Sequence, residues 1–123
     1  MVTILVVEDE TYELVRYEKS LTDEGYEVVL AQDGYEALEK IKQCQPDIIV
    51  LDIKLPGIDG IETLGKIIES NYAIPVIIHT AYEVWRENFR TRLADAYVLK
   101  TRDMVELKTK IKEILKSTGK VSA

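Results

Sequence analysis

Four places in this chain put a reactive side chain at the end of an apolar run. Thr3-Ile4-Leu5-Val6-Val7 leads into Glu8-Asp9-Glu10, and Ile48-Ile49-Val50-Leu51 into Asp52. Pro75-Val76-Ile77-Ile78-His79 leads into Thr80-Ala81, and Ala96-Tyr97-Val98-Leu99 into Lys100. Runs this short and this uniformly apolar predict strands buried on both faces, as in a parallel sheet. Open α/β sheets place ligands at the carboxyl ends of such strands. If the first and third runs are neighbours, Glu8, Asp9 and Asp52 crowd one crevice, and they repel one another unless a cation neutralises them. A hard divalent ion suits oxygen ligands, and Mg2+ takes one or two carboxylates together with waters and phosphate oxygens. Thr80 and Lys100, facing the same crevice, add two donors for an anion. A metal, two donors and a central carboxylate point to phosphoryl transfer, where positioning and charge stabilisation carry the chemistry.

The elements that must hold these residues alternate in type. After the first strand the period changes at Thr11. Leu14, Val15, Glu18 and Leu21 share one side of a helix that Gly25 stops, being free to adopt positive φ. Glu27-Val28-Val29-Leu30-Ala31 is a strand. Asp33-Gly34-Tyr35-Glu36 opens a helix through Ala37, Leu38 and Ile41 that ends before Pro46. Asp59-Gly60-Ile61-Glu62 opens a third, with Ile61, Leu64, Ile67 and Ile68 facing inward. A fourth helix is expected over 84–93, and Met104, Leu107, Ile111, Ile114 and Leu115 mark a last amphipathic one. Asp33, Asp59 and Asp103 each precede a Glu by three residues, the spacing of a capping box with Asp in place of Ser or Thr. A structural role is therefore preferred for those three aspartates. Five strands alternating with five helices imply a parallel sheet with right-handed crossovers and helices on both faces.

Composition narrows the function classes. The chain has 123 residues, enough for one compact domain over 1–123, with a frayed tail expected at about 118–123. With 46% hydrophobic and 31% charged residues it has the make-up of a globular domain. A net charge of −6 argues against direct nucleic-acid binding and suits a basic surface on a protein partner. Cys44 is the single cysteine, so no intrachain disulfide forms, which suits the cytoplasm, and with no histidine beside it in sequence it is read as structural. No apolar stretch nears the roughly 20 residues that cross a bilayer, and the N-terminus enters a strand directly, without a signal peptide. Met1 suits a whole protein or an N-terminal domain.

The residues resemble a known family, the receiver domain of two-component response regulators, over essentially the whole chain. Glu8-Asp9 matches its acidic pair and Asp52-x-x-x-Pro56-x-x-x-Gly60 its phosphoacceptor loop. Thr80-Ala81 matches its switch hydroxyl and small neighbour, Lys100 its lysine, and Tyr97 its aromatic switch position. Each motif alone is weak; five in order at the right spacings are specific. The resemblance implies a doubly wound, flavodoxin-like (βα)5 sandwich with strand order 2-1-3-4-5. It implies that Asp52 takes a phosphoryl group from a phosphohistidine of a sensor histidine kinase or histidine phosphotransfer protein. It also implies Mg2+ held by Asp9, Asp52 and the Lys54 carbonyl, with Glu8 acting through water. Lys100, Thr80 and the Ala81 amide would hold the phosphoryl oxygens, and Thr80 and Tyr97 would switch a surface for a downstream protein partner.

The chain departs from the family in two places. Thr101 follows Lys100 where most receivers have proline after a cis peptide. A non-proline cis bond costs about 3–4 kcal/mol, which leaves a trans bond or a strained one. The Thr80-to-Lys100 segment is also short, and Leu93-Ala94-Asp95 replaces the usual Gly-Ala. Of the other singular residues, His79 points away from the site by strand alternation and is read as packing. Trp85 and Phe89 are read as cover for a short helix, and Lys110, Lys112 and Lys116 as a solvated face. Tyr82 could hang over the site and slow dephosphorylation. Tyr12, Val15, Thr101 and Arg102 fall near the rim where the family meets its kinase, with a core reading equally good for Val15. Competing functions are a domain excised from a larger regulator, an aspartate-nucleophile phosphatase, a flavodoxin-like electron carrier and a receiver that only docks. The phosphatase wants an acid two residues after its nucleophile, where this chain has Lys54. The electron carrier wants a Gly-rich phosphate loop where this chain has Glu8-Asp9-Glu10. The complete set of acids, hydroxyl and lysine argues against docking alone.

Overall fold

The computed structural model describes residues 1–70, 72–88 and 90–119. Five strands alternate with helices: β1 (Thr3–Val7), α1 (Thr11–Asp23), β2 (Glu27–Ala31), α2 (Gly34–Cys44) and β3 (Ile48–Leu51). Then come α3 (Gly60–Glu69), β4 (Val76–Thr80), β5 (Ala96–Leu99) and α4 (Val105–Ser117). All strand pairs are parallel, in the order β2-β1-β3-β4-β5. Strand alternation sends successive side chains to opposite faces, and each face meets its own helices. Ile4, Val6, Ile48, Val50, Ile77 and Val98 pack against Leu14, Tyr17 and Leu21 of α1 and Leu107, Ile111 and Leu115 of α4. Leu5, Val7, Ile49, Leu51 and Ile78 pack against Ala37 and Ile41 of α2 and Ile61, Leu64 and Ile67 of α3. Both faces are covered, which is why the strands read as unbroken apolar runs.

Register places the reactive residues. Val7 lies beside Leu51, and Leu51 beside Ile78. The ladder continues past the strand ends: Asp52 N donates to Val7 O at 3.2 Å, Glu8 N to Ala31 O at 2.9 Å and Lys100 N to Thr80 O at 2.8 Å. The loop after Asp52 folds back tightly. Gly60 N donates to Ile53 O at 2.7 Å, and a Cβ on Gly60 would collide with the carbonyl oxygen of Asp52. Only glycine lets α3 begin this close to the Asp52 backbone.

Several expectations need correction. The segment over 84–93 is not an α-helix but two short 3-10 turns, Glu83–Trp85 and Thr91–Leu93, so four α-helices rather than five stand among the described residues. Among its described residues the segment buries no apolar stripe: Val84 is 75% and Leu93 56% exposed. It is held by polar groups instead. The buried Thr91 hydroxyl donates to Trp85 O and Asn88 O, and Asn88 Oδ1 accepts from Arg90 N. Such side chains compete with the helical ladder. Phe89, expected to pair with Trp85, lies outside the described residues, as do residues 120–123 of the tail. Asp95, in place of the usual residue before β5, accepts from Val76 N and donates its own N to Val76 O, both at 2.8 Å, and so ties the starts of β4 and β5.

Val15 is 60% exposed, and Tyr17 takes the inward place beside Leu14 and Leu21. Ile68, expected inside, is also exposed. Asp33 and Asp59 accept from Glu36 N and Glu62 N as predicted. Asp103 does not cap in that way; α4 starts one residue later, behind Met104, and Asp103 accepts from Val105 N. No peptide bond among the described residues is cis, so the Lys100–Thr101 bond is trans.

His79 packs, as expected, but into a polar contact. It is buried, its Nδ1 lies 2.5 Å from the Tyr17 hydroxyl, and the rings meet edge to face. Burial, and then the Lys100 charge, pull its pKa down to about 4. The unfolded chain therefore binds a proton between pH 6.5 and about 4 that the folded chain refuses, and stability is lost as pH falls through that window. Each pKa unit is worth about 1.4 kcal/mol, so the whole shift is worth on the order of 3 kcal/mol. Urea melts of wild type and His79→Phe across this window measure it: the wild type is expected to lose that much more stability on acidification than the variant.

Candidate functional site

The carboxyl ends of β1, β3, β4 and β5 open onto one cleft of about 630 Å³. Glu8, Asp9, Asp52, Lys54, Ala81, Tyr82 and Lys100, all singled out from sequence, line it. Asp52 Oδ1 accepts from Ile53 N at 2.7 Å, and Asp52 Oδ2 lies 3.0 Å from Lys100 Nζ. The same ammonium donates to Glu8 Oε1. Glu8 Oε2 accepts from Asp9 N at 3.0 Å and Glu10 N at 3.2 Å. Lys100 is thus a bridge between the acid ending β1 and the acid ending β3. Asp9, by contrast, is exposed on the cleft wall.

The electrostatics follow from burial. Glu8 is almost fully buried, and its pKa is raised to about 7: burial is the main cause, Lys100 opposes it, and the Asp52 charge adds to it. Burial works against the Lys100 charge too, but the hydrogen bond to Glu8 and the charges of Asp52 and Glu8 outweigh it and hold its pKa above the usual lysine range. One ammonium between two carboxylates, with Asp9 beside them, leaves the cleft short of positive charge. Lys54 does not supply the deficit directly; its ammonium sits 4.7 Å from the centre of the Tyr82 ring.

This donor set fits a hard divalent cation. Among the described residues no three acidic, histidine or cysteine side chains are gathered into a closed metal cage. The cleft offers the exposed Asp9 beside the largely buried Asp52, with room for water. Mg2+ is usually bound in this way, through one or two carboxylates and several waters.

Two predicted residues sit differently from the rest. Thr80 is fully buried, behind the wall rather than in it, and its hydroxyl oxygen accepts from Tyr82 N at 3.4 Å. Tyr97 lies half-buried beyond it, and its hydroxyl donates to the carbonyl of Tyr82. Sequence reasoning missed three residues. Tyr17 backs the site through His79, and the i, i+3, i+7 spacing of Leu14, Tyr17 and Leu21 was the available signal. Arg16 donates to Arg102 O at 2.9 Å, tying α1 to the loop after β5; no local pattern announces that contact. Trp85 lines the cleft instead of covering a helix.

Comparison with known proteins agrees with this geometry. The family model for the response regulator receiver domain matches residues 4–112. The alkaline phosphatase synthesis transcriptional regulatory protein PhoP of Bacillus subtilis is 36% identical over 92% of this chain and 48% of its own length. The probable transcriptional regulatory protein TcrX of Mycobacterium tuberculosis is 32% identical over 96% of this chain and 51% of its own. The chain therefore spans about half the length of these curated relatives. Among solved structures, the response regulator TrrA of Thermotoga maritima in complex with Mg2+ and BeF has a TM-score of 0.90 and 39% identity, over 94% of this chain and all of that one. The same protein in complex with the histidine kinase ThkA has a TM-score of 0.88, over 94% of this chain and 99% of that one. With the family model covering most of the chain and the sheet order and cleft in agreement, this chain belongs to the receiver domain family of two-component response regulators.

Proposed function

We propose that Asp52 accepts a phosphoryl group from a phosphohistidine of a sensor histidine kinase or histidine phosphotransfer protein. A carboxylate oxygen of Asp52 forms a bond to phosphorus as the bond to the donor nitrogen breaks. The observation that carries the reading is the contact of 3.0 Å between Asp52 and Lys100 on the wall of an open cleft. It sets a cation beside the carboxylate where the transferred group's negative charge must be accommodated. The kinase complex of the related TrrA supports the partner class, and its complex with Mg2+ and BeF supports the cofactor.

In this reading Asp9, Asp52 and the Lys54 carbonyl hold Mg2+, with Glu8 acting through water. Bound there, the ion supplies the positive charge that three carboxylates and a phosphoryl group demand. Lys100 and the Ala81 amide hold phosphoryl oxygens. The Thr80 hydroxyl leaves its place behind the wall to join them, Tyr97 follows, and the surface around Tyr97 changes for a downstream protein partner. The domain catalyses its own phosphorylation and dephosphorylation, and it works in the cytoplasm. No helix among the described residues is long and apolar enough to cross a membrane. A second reading, that the receiver controls an effector carried in the same polypeptide, is favoured by relatives about twice its length.

Incubation with Mg2+ and phosphoramidate, followed by intact-mass measurement, tests the acceptor. A Mg2+-dependent phosphoryl adduct is expected on the wild type and not on Asp52→Asn; an adduct that survives in the variant overturns the assignment. Lys100→Ala removes one preorganised charge partner, a loss worth about a hundredfold or more in rate at comparable sites. Stopped time points should show its adduct forming slower by about that factor, with Asp52 still the modified residue.

A further inference from the structure

Lys100 bridges Glu8 and Asp52, and in the reading above it must also reach the phosphoryl oxygens. A long side chain serves all three only if its root is held. On one side it is: Lys100 N donates to Thr80 O at 2.8 Å, where β5 leaves β4. On the other side the chain runs through Thr101, Arg102 and Asp103, all exposed, before Met104 is buried ahead of α4.

Apolar burial therefore does not fix these three residues. Thr101 Oγ1 donates to Asp103 O at 3.0 Å, and Asp103 Oδ1 accepts from Val105 N at 3.1 Å, contacts that stay local. The tie to another element comes from α1, where Arg16 Nη2 donates to Arg102 O at 2.9 Å. The other arm of the guanidinium, Nη1, lies 3.3 Å from Glu13, one turn earlier on the same helix. A planar fork held by a carboxylate on one arm offers the other in a fixed direction. Arg16 is thus a strut. Its helix begins directly after Glu8-Asp9-Glu10, so the strut joins the segment that carries Glu8 to the segment that follows Lys100.

We propose that Arg16 is a positioning residue for phosphoryl transfer: through the Arg102 carbonyl it holds the root of Lys100 at the span from which the ammonium meets Glu8, Asp52 and the incoming phosphoryl group. The inference rests on the phosphoacceptor reading above and adds what sets the lysine in place. Arg16 does not line the cleft and acts through Lys100. In transfer from phosphoramidate an Asp52 oxygen bonds to phosphorus, the bond from phosphorus to nitrogen breaks, and the protonated nitrogen leaves as ammonia. Charge on the phosphoryl oxygens is best met by an ammonium already standing there, and a misplacement of about 1 Å costs up to about a hundredfold in rate.

The test times adduct formation on the full chain with Mg2+ and phosphoramidate, read by intact mass. Met and Gln are good helix formers; Met offers no donor and Gln falls short of Arg102 O, so Arg16→Met and Arg16→Gln keep α1 and cut the strut. Each is expected to slow the adduct about 10-fold, less than the loss of about a hundredfold in Lys100→Ala. Added to Lys100→Ala, Arg16→Met should slow it no further, because its effect passes through the lysine. A general loosening of the fold would instead slow both backgrounds by the same factor. An unchanged rate in either single variant, or the same factor in both backgrounds, overturns the inference while leaving the acceptor reading intact. Absence of any adduct on the wild type overturns both, and the two failures are distinguishable.

Discussion

The structure depends on a charge conflict that the sheet itself creates. Parallel pairing of β1 with β3 in this register brings Glu8 and Asp52 to adjacent strand ends, each next to buried apolar residues. Two carboxylates in that position repel and lack solvation. Lys100, at the end of β5, reaches across to both. β4 lies between β3 and β5, and Thr80 at its end is fully buried. The bridge leaves Asp9 on the cleft wall without relief. The site is thus stable enough to fold and still short of positive charge, which is the state a divalent cation and a phosphoryl group with its own donors would complete.

The same edge shows why burial alone does not define a reactive site. His79 and Thr80 are neighbours on β4 and both are buried. His79 faces α1 and is held neutral against Tyr17, its pKa lowered mainly by burial. Glu8, just as buried, has its pKa raised to about 7, and it faces the cleft with two backbone donors and an ammonium. Among the described residues the histidine's side-chain hydrogen-bond partner is Tyr17 and its ring is buried, so it packs. The carboxylate belongs to a network that ends in an open cleft, so its charge can be traded for a ligand's.

Most of the fold was legible because its signals are local. Short, mostly β-branched runs such as Ile48-Ile49-Val50-Leu51 favour a strand buried on both faces, and they end where the reactive residues begin. Asp33 and Asp59 announce their helices through side chains that reach only three residues. The pairing of β1 with β3 came from family likeness rather than from periodicity, and with it the gathering of Glu8, Asp9 and Asp52. What was not legible depends on contacts distant in sequence. Whether Val15 or Tyr17 turns inward on α1 is decided by His79, 62 residues from Tyr17. The segment over 84–93 looked helical from Trp85 and Phe89, but Thr91 bonds to the carbonyls of Trp85 and Asn88 and folds it into turns. Asp103 has the spacing of a cap, yet Met104 is drawn into the core with α1 and α4 and shifts the helix start by one residue.

That turn segment is also where the structure is easiest to move. The α-helices bury an apolar face against the sheet; the two 3-10 turns bury only Thr91. Segments held by few buried apolar contacts open at low free energy. Between β4 and β5, the backbone at Tyr82 is fixed by two hydroxyls, those of Thr80 and Tyr97. A phosphoryl group that draws Thr80 forward removes one of these restraints and frees space beside the other. The energy needed is that of a few hydrogen bonds at about 0.5–1.5 kcal/mol each, within the 1–3 kcal/mol typical of coupling between sites. A regular fourth helix packed on the sheet would have to break apolar contacts to make the same movement. In this chain the short segment has hydrogen bonds in place of that packing, and under the proposed function these are what the added charge rearranges.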